Sequence, residues 1–86
     1  MPSGFVAHLS QDQAAKLLHA LCVKYGFCLS PLWNARLERN PPLTAKAFTD
    51  TVFHAEGVDP VSADSNLYAA MYQEVVLAFH VAATSS

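Results

Sequence analysis

His19, Cys22 and Cys28 are the residues whose types and spacing are best suited to chemistry, because imidazole and thiolate groups can both bind metals. On a helix, His19 and Cys22 lie three residues apart and could reach one ion, with Cys28 just past a turn. A structural zinc needs four ligands, so the fourth would come from one of the other histidines, His8, His54 or His80. The spacing matches no zinc-finger or zinc-ribbon pattern. Structural metal binding is therefore kept as an alternative, and the leading interpretation makes Cys22 an ordinary core cysteine.

Nucleophilic catalysis by Cys22 or Cys28 would need a histidine base, a third group to orient it and a cleft. A chain of 86 residues has little material from which to build such a cleft. The carboxylates of Asp50, Glu56 and Asp64 fall near predicted helix ends or on solvent-facing sides, and the three glycines are not clustered as in a phosphate-binding loop. We therefore predict that the protein is not an enzyme and has no cofactor.

Charge is unevenly distributed: all five Lys and Arg residues precede residue 47, whereas most of the acidic residues follow it. Arg36, Arg39 and Lys46 predict a weak basic patch, which together with Trp33 could contact phosphate or an unpaired base. The net charge of −2 counts against this use, because phosphate contacts supply most of the affinity for nucleic acid. Nucleic-acid binding is the alternative function, and it ranks below protein binding.

The first three helices are predicted from residues typical of helix ends. Ser10 and Gln13 have the spacing of a capping box, and Gly26 can end that helix in the left-handed conformation. A short second helix is predicted over 31–39, after a Ser-Pro start and before Pro41-Pro42. Thr44 is the expected cap of the third helix, which Gly57 ends. The start of the fourth helix is ambiguous between residues 59 and 64.

The stretch KYGFCLSPLW, from Lys24 to Trp33, joins the first two helices and is unusually apolar for a connection. A hydrophobic residue after a terminating glycine commonly folds back on the helix, which explains Phe27. Leu29 and Trp33 then flank a tight corner that two packed helices cover. Trp33 is predicted to lie in or near the core, with a binding role as the alternative.

The fourth helix, NLYAAMYQEVVLAFHVAA, is apolar around most of its circumference. A helix of this kind is normally buried on more than one side, and a chain that is 52% hydrophobic and 14% charged lacks the size to bury both. One side is therefore predicted to pack in the core and the other against a second copy of the chain. The predicted interface comprises Tyr68, Tyr72, Val76, Phe79 and Trp33. Leu77 and Val81 extend the apolar arc further.

These observations predict an all-α fold, a compact bundle of three main helices and one short helix, in a single domain over residues 1–86. Residues 1–9 are expected to form an extended arm, and residues 84–86 a frayed tail. The two cysteines do not make a disulfide framework, and no signal peptide or membrane-spanning segment is expected. The resulting hypothesis is a cytoplasmic protein with reduced thiols that acts as a protein-interaction module and forms a homodimer.

Overall fold

The computed structural model describes residues 9–84 and contains four helices there: α1 (Gln11–Tyr25), α2 (Pro31–Arg39), α3 (Ala45–Ala55) and α4 (Ser65–Thr84). No strand is present among these residues, so the all-α prediction is confirmed. Residues 1–8 of the predicted arm and residues 85–86 of the predicted tail lie outside the described part of the chain.

Local side-chain chemistry determines where α1 begins and ends. The Ser10 side chain accepts a hydrogen bond from the backbone N–H of Gln13, whose side chain accepts one from the N–H of Ser10. At the other end, Gly26 adopts a positive φ of 75°. The N–H groups of Gly26 and Phe27 donate to the carbonyls of Cys22 and Leu21, which would otherwise lack partners at the helix end.

The other helix starts use the same kind of cap. The hydroxyls of Ser30 and Thr44 accept hydrogen bonds from the N–H groups of Trp33 and Ala47, at the starts of α2 and α3. The ambiguous start of the last helix falls at Asp64, whose carboxylate accepts from two N–H groups in the first turn of α4. Gly57, with a φ of 77°, follows the end of α3 as the sequence predicted.

Helix α1 packs against both α2 and α4, and α4 packs against α3. The core between them is lined by side chains from all four helices. Its largest fully buried members are Phe48, Phe53, Phe79, Leu21, Met71, Val52 and Val75. The one buried polar residue among those described, Thr49, donates its hydroxyl hydrogen to the carbonyl of Ala45.

Aromatic rings connect the corner between α1 and α2 to the rest of the core. The centre of the Phe27 ring lies 4.9 Å from the centre of the Phe53 ring, which in turn lies 5.2 Å from the centre of the Tyr68 ring on α4. Phe27 therefore does more than cover the end of its own helix, because it also contacts α3. Phe27, Leu29 and Trp33 of this connection lie in or against the core, which explains why these positions are not polar as in an ordinary surface loop.

Candidate functional site

Cys22 and Cys28 form a disulfide bond, so the prediction of reduced thiols is wrong for this structure. The cause is the turn at Gly26. Its left-handed conformation reverses the chain directly after α1 and brings the Cα of Cys28 within 4.3 Å of the Cα of Cys22. The bond links the last turn of α1 to the residues that lead into α2. It therefore fixes the corner that orients α2.

The disulfide also rules out, in this form of the protein, the alternative of a metal site at His19, Cys22 and Cys28. Zinc is bound by thiolates, whereas the sulfurs of Cys22 and Cys28 are bonded to each other. The part of the chain that the structure describes contains no cluster of three or more metal-ligating side chains. His8, one of the candidate fourth ligands, lies outside that part. His19 is exposed on α1 and lines the same groove as the two cysteines.

The most exposed apolar surface on α4 is a ridge formed by Val76, Leu77, Ala78 and Val81, which we call the α4 ridge. The side chains of Leu77 and Val81 are each 59% exposed. Leu77 lies between two shallow grooves and lines both. One groove, of about 570 Å³, separates α4 from the start of α3 and is also lined by Tyr72 and Val76. The other, of about 320 Å³, lies between α4 and α1.

The five predicted interface residues do not form one surface. Phe79 is fully buried and packs edge-on against Phe48, with 6.1 Å between ring centres, so its assignment to the interface is wrong. Tyr72 and Val76 are half-buried and line the groove beside α3. Trp33 is also half-buried, but it lies on α2 and lines a different pocket.

The fifth predicted interface residue, Tyr68, is held by contacts within the chain. Its hydroxyl donates a hydrogen bond of 2.5 Å to Asp50 on α3, and its ring packs on Phe53 and stacks with Tyr72. Lys46 donates to the other oxygen of Asp50 and lies 5.9 Å from the centre of the Tyr68 ring. Tyr68 therefore connects α4 to α3.

Two opposing effects act on the pKa of Asp50. Partial burial alone would raise this pKa, but the hydrogen bonds from Tyr68 and Lys46, together with the positive charge of Lys46, outweigh it. The pKa of Asp50 is therefore held below its usual value. Burial and the hydrogen bond to Asp50 raise the pKa of Tyr68.

Tyr68→Phe should lower the free energy of unfolding by about 1 kcal/mol at neutral pH, because it removes a hydrogen bond to a partly exposed carboxylate. A carboxyl with a depressed folded-state pKa stabilises the fold above its unfolded pKa of about 3.9, and this stabilisation is lost as the pH falls through the folded value. The difference in the free energy of unfolding between wild type and variant should therefore become smaller below about pH 4. Urea unfolding at several pH values measures it. Tyr72→Phe is the control. A difference in unfolding free energy between wild type and Tyr68→Phe that is the same at all pH values would contradict the proposed interaction.

The three residues of the predicted basic patch are divided between two places. Arg36 lies over the Trp33 ring at 5.5 Å from its centre and lines a pocket with Arg39. Lys46 lies on α3, paired with Asp50. Only Arg36 and Arg39 share a surface with Trp33, which leaves two cations where the sequence suggested three.

No protein-family model, curated protein or solved structure matches this chain. Within residues 9–84, none of the helices combines the length and the hydropathy that crossing a bilayer requires.

Proposed function

We propose that this protein is a non-enzymatic interaction module that pairs with a second copy of itself through the α4 ridge. The observation that carries the proposal is the exposure of Leu77 and Val81 on a helix whose opposite side already fills the core. Large apolar side chains grouped on one face of a small domain are typical of a surface that another protein covers.

The size of this face suits a dimer. A helix of 20 residues is about 30 Å long and about 10 Å wide. With α1 included, whose 15 residues make it about 22 Å long, the face is two helices wide and covers roughly 500 Å² in projection. Stable interfaces bury about 800 Å² on each partner, so α4 and α1 together supply most of what a dimer needs.

The charges at the edge of this face are compatible with pairing of identical surfaces. Lys16 and Glu74 both line the groove between α1 and α4, so each copy presents both signs. In a two-fold dimer, the same patch meets itself in reversed orientation. Mixed charge at the rim avoids the like-charge repulsion that would oppose such contact.

Leu77→Asp tests the pairing. Wild-type protein should have twice the chain mass in size-exclusion chromatography with light scattering at high micromolar concentration. The variant should keep its helical circular dichroism and weaken association at least ~100-fold, the factor equivalent to about 3 kcal/mol for an unpaired buried charge.

Leu32→Asp is the matched control, because Leu32 is 64% exposed and lies on α2, away from the ridge. It should remain dimeric. A wild-type protein that is strictly monomeric at the same concentration would refute the proposal, and so would equal dissociation of the two variants.

We propose that the protein is located in the cytoplasm. Thiol reductants in that compartment keep most cysteines reduced, and disulfides that form there are usually transient. The Cys22–Cys28 bond would then be present in only part of the protein population. Alkylation of free thiols immediately after cell lysis, followed by mass measurement, would give that fraction.

A further inference from the structure

The Cys22–Cys28 disulfide borders a groove of about 360 Å³ between α1 and α2. Both cysteines line it, together with the polar side chains of His19, Asn34 and Glu38. Cys28 is exposed, whereas Cys22 is half-buried. Exposed disulfides are more readily exchanged than enclosed ones, and this one lies beside a space large enough for a small thiol.

We propose that this disulfide is a site of thiol–disulfide exchange whose substrate is a thiol that enters the groove between α1 and α2. The substrate thiolate attacks the sulfur of Cys28 and forms a mixed disulfide. The Cys22–Cys28 bond breaks, and Cys22 leaves as a thiolate that takes up a proton. A second substrate thiolate then attacks the substrate sulfur of the mixed disulfide, the bond to Cys28 breaks, and Cys28 leaves as a thiolate that takes up a proton. Each oxidised protein molecule thereby converts two substrate thiols into one disulfide, takes up two electrons and two protons, and acts as a stoichiometric oxidant and not as a catalyst.

Access determines which sulfur is attacked. Cys28 follows the Gly26 turn and is exposed, so an incoming thiol can approach it from the groove. Cys22 lies in the last turn of α1, next to core residue Leu21. His19 precedes Cys22 by one helical turn and lines the groove, which places an imidazole on the side where the Cys22 thiolate is released.

The exchange would also loosen the corner between α1 and α2. Without the bond, the corner is held by the helix-end hydrogen bonds, the Phe27 contact with Phe53, the burial of Leu29 in the core and a hydrogen bond from Asn34 Nδ2 to the Leu29 carbonyl. Trp33, the sole tryptophan, lies directly after this corner. We therefore expect its fluorescence to change when the disulfide is opened.

The test uses cysteamine as the probe thiol with folded, oxidised protein. Free thiols are blocked with N-ethylmaleimide, and trypsin then separates the two cysteines because Lys24 lies between them. We expect the cysteamine adduct on the peptide over residues 25–36, which contains Cys28, at a level at least about tenfold above that on Cys22. The Trp33 emission should shift as the adduct forms.

Two results would overturn the proposal. One is a disulfide that resists cysteamine until denaturant is added, because the bond would then be purely structural. The other is an adduct located mainly on Cys22.

The role of the groove is tested with Ala15→Phe, since Ala15 lines the groove from α1. A bulky ring there should slow exchange about tenfold or more by limiting access. Ala69→Phe, an exposed position on α4, is the control and should react at the wild-type rate. Each variant is first checked for wild-type helical content. If Ala15→Phe reacts as fast as wild type, the thiol does not use the groove and the proposal fails.

Discussion

Replacing Phe79 with aspartate is expected to unfold the chain and not to separate two folded copies. Phe79 is fully buried and contacts Phe48 through the centre of the bundle. Loss of a buried phenylalanine costs about 3–5 kcal/mol, and placing a carboxylate in the same space adds further to the cost. A domain of this length has a total stability of only roughly 4–13 kcal/mol. Far-ultraviolet circular dichroism should show most of the helical signal lost.

The control for this prediction lies two residues earlier on the same helix. Leu77→Asp makes the same chemical change at an exposed site and should retain wild-type helicity. A Phe79→Asp protein that was folded and monomeric would contradict the structure. It would instead support the sequence-based assignment of Phe79 to the interface.

The helix ends could be predicted because caps act over a few residues. Ser10 with Gln13, and Gly26 after Tyr25, each satisfy backbone groups within one turn of the helix, so the chain sequence alone contains the information. The start of α4 was harder, since Asp59, Ser62 and Asp64 are all suitable caps. The hydrogen bonds from the first turn of α4 select Asp64.

The disulfide could not be read from the spacing of the cysteines. Gly26 was correctly predicted as the end of α1, but the path of the chain after it decides whether Cys28 turns toward the helix or away. The ring of Phe27 packs against Phe53, which comes 26 positions later in the chain. A contact with α3 therefore helps to hold the corner in which the two sulfurs meet.

The buried and exposed sides of α4 could likewise be predicted only in part from the sequence. Periodicity identified a helix that is apolar on several sides, but it could not tell which side faces α1 and α3. Phe79 was assigned to the partner and lies in the core, whereas Leu77 and Val81, which only widened the apolar arc, are the exposed side chains. The link between Tyr68 and Asp50 joins two helices, and no pattern within one helix predicts it.

Removal of the disulfide is expected to have the second-largest effect on the fold. Cys22 and Cys28 are six positions apart, so the bond closes a short loop, and the loss of unfolded-chain entropy corresponds to about 2 kcal/mol. The variant with both Cys22→Ser and Cys28→Ser should unfold about 10 °C below wild type, because 1 kcal/mol shifts the melting temperature of a small domain by several degrees. Thermal unfolding followed by circular dichroism measures this difference.

A reducing agent separates the effect of the bond from that of the serines. Dithiothreitol should lower the melting temperature of wild type to nearly that of the double variant and leave the variant unchanged. Hydrogen exchange should locate the loss of protection in α2, because α2 depends on this corner and on α1 for its position. Uniform loss of protection across all four helices would mean that the bond stabilises the whole domain equally. If wild type and the double variant have the same melting temperature, contacts such as that between Phe27 and Phe53 hold the corner without the bond.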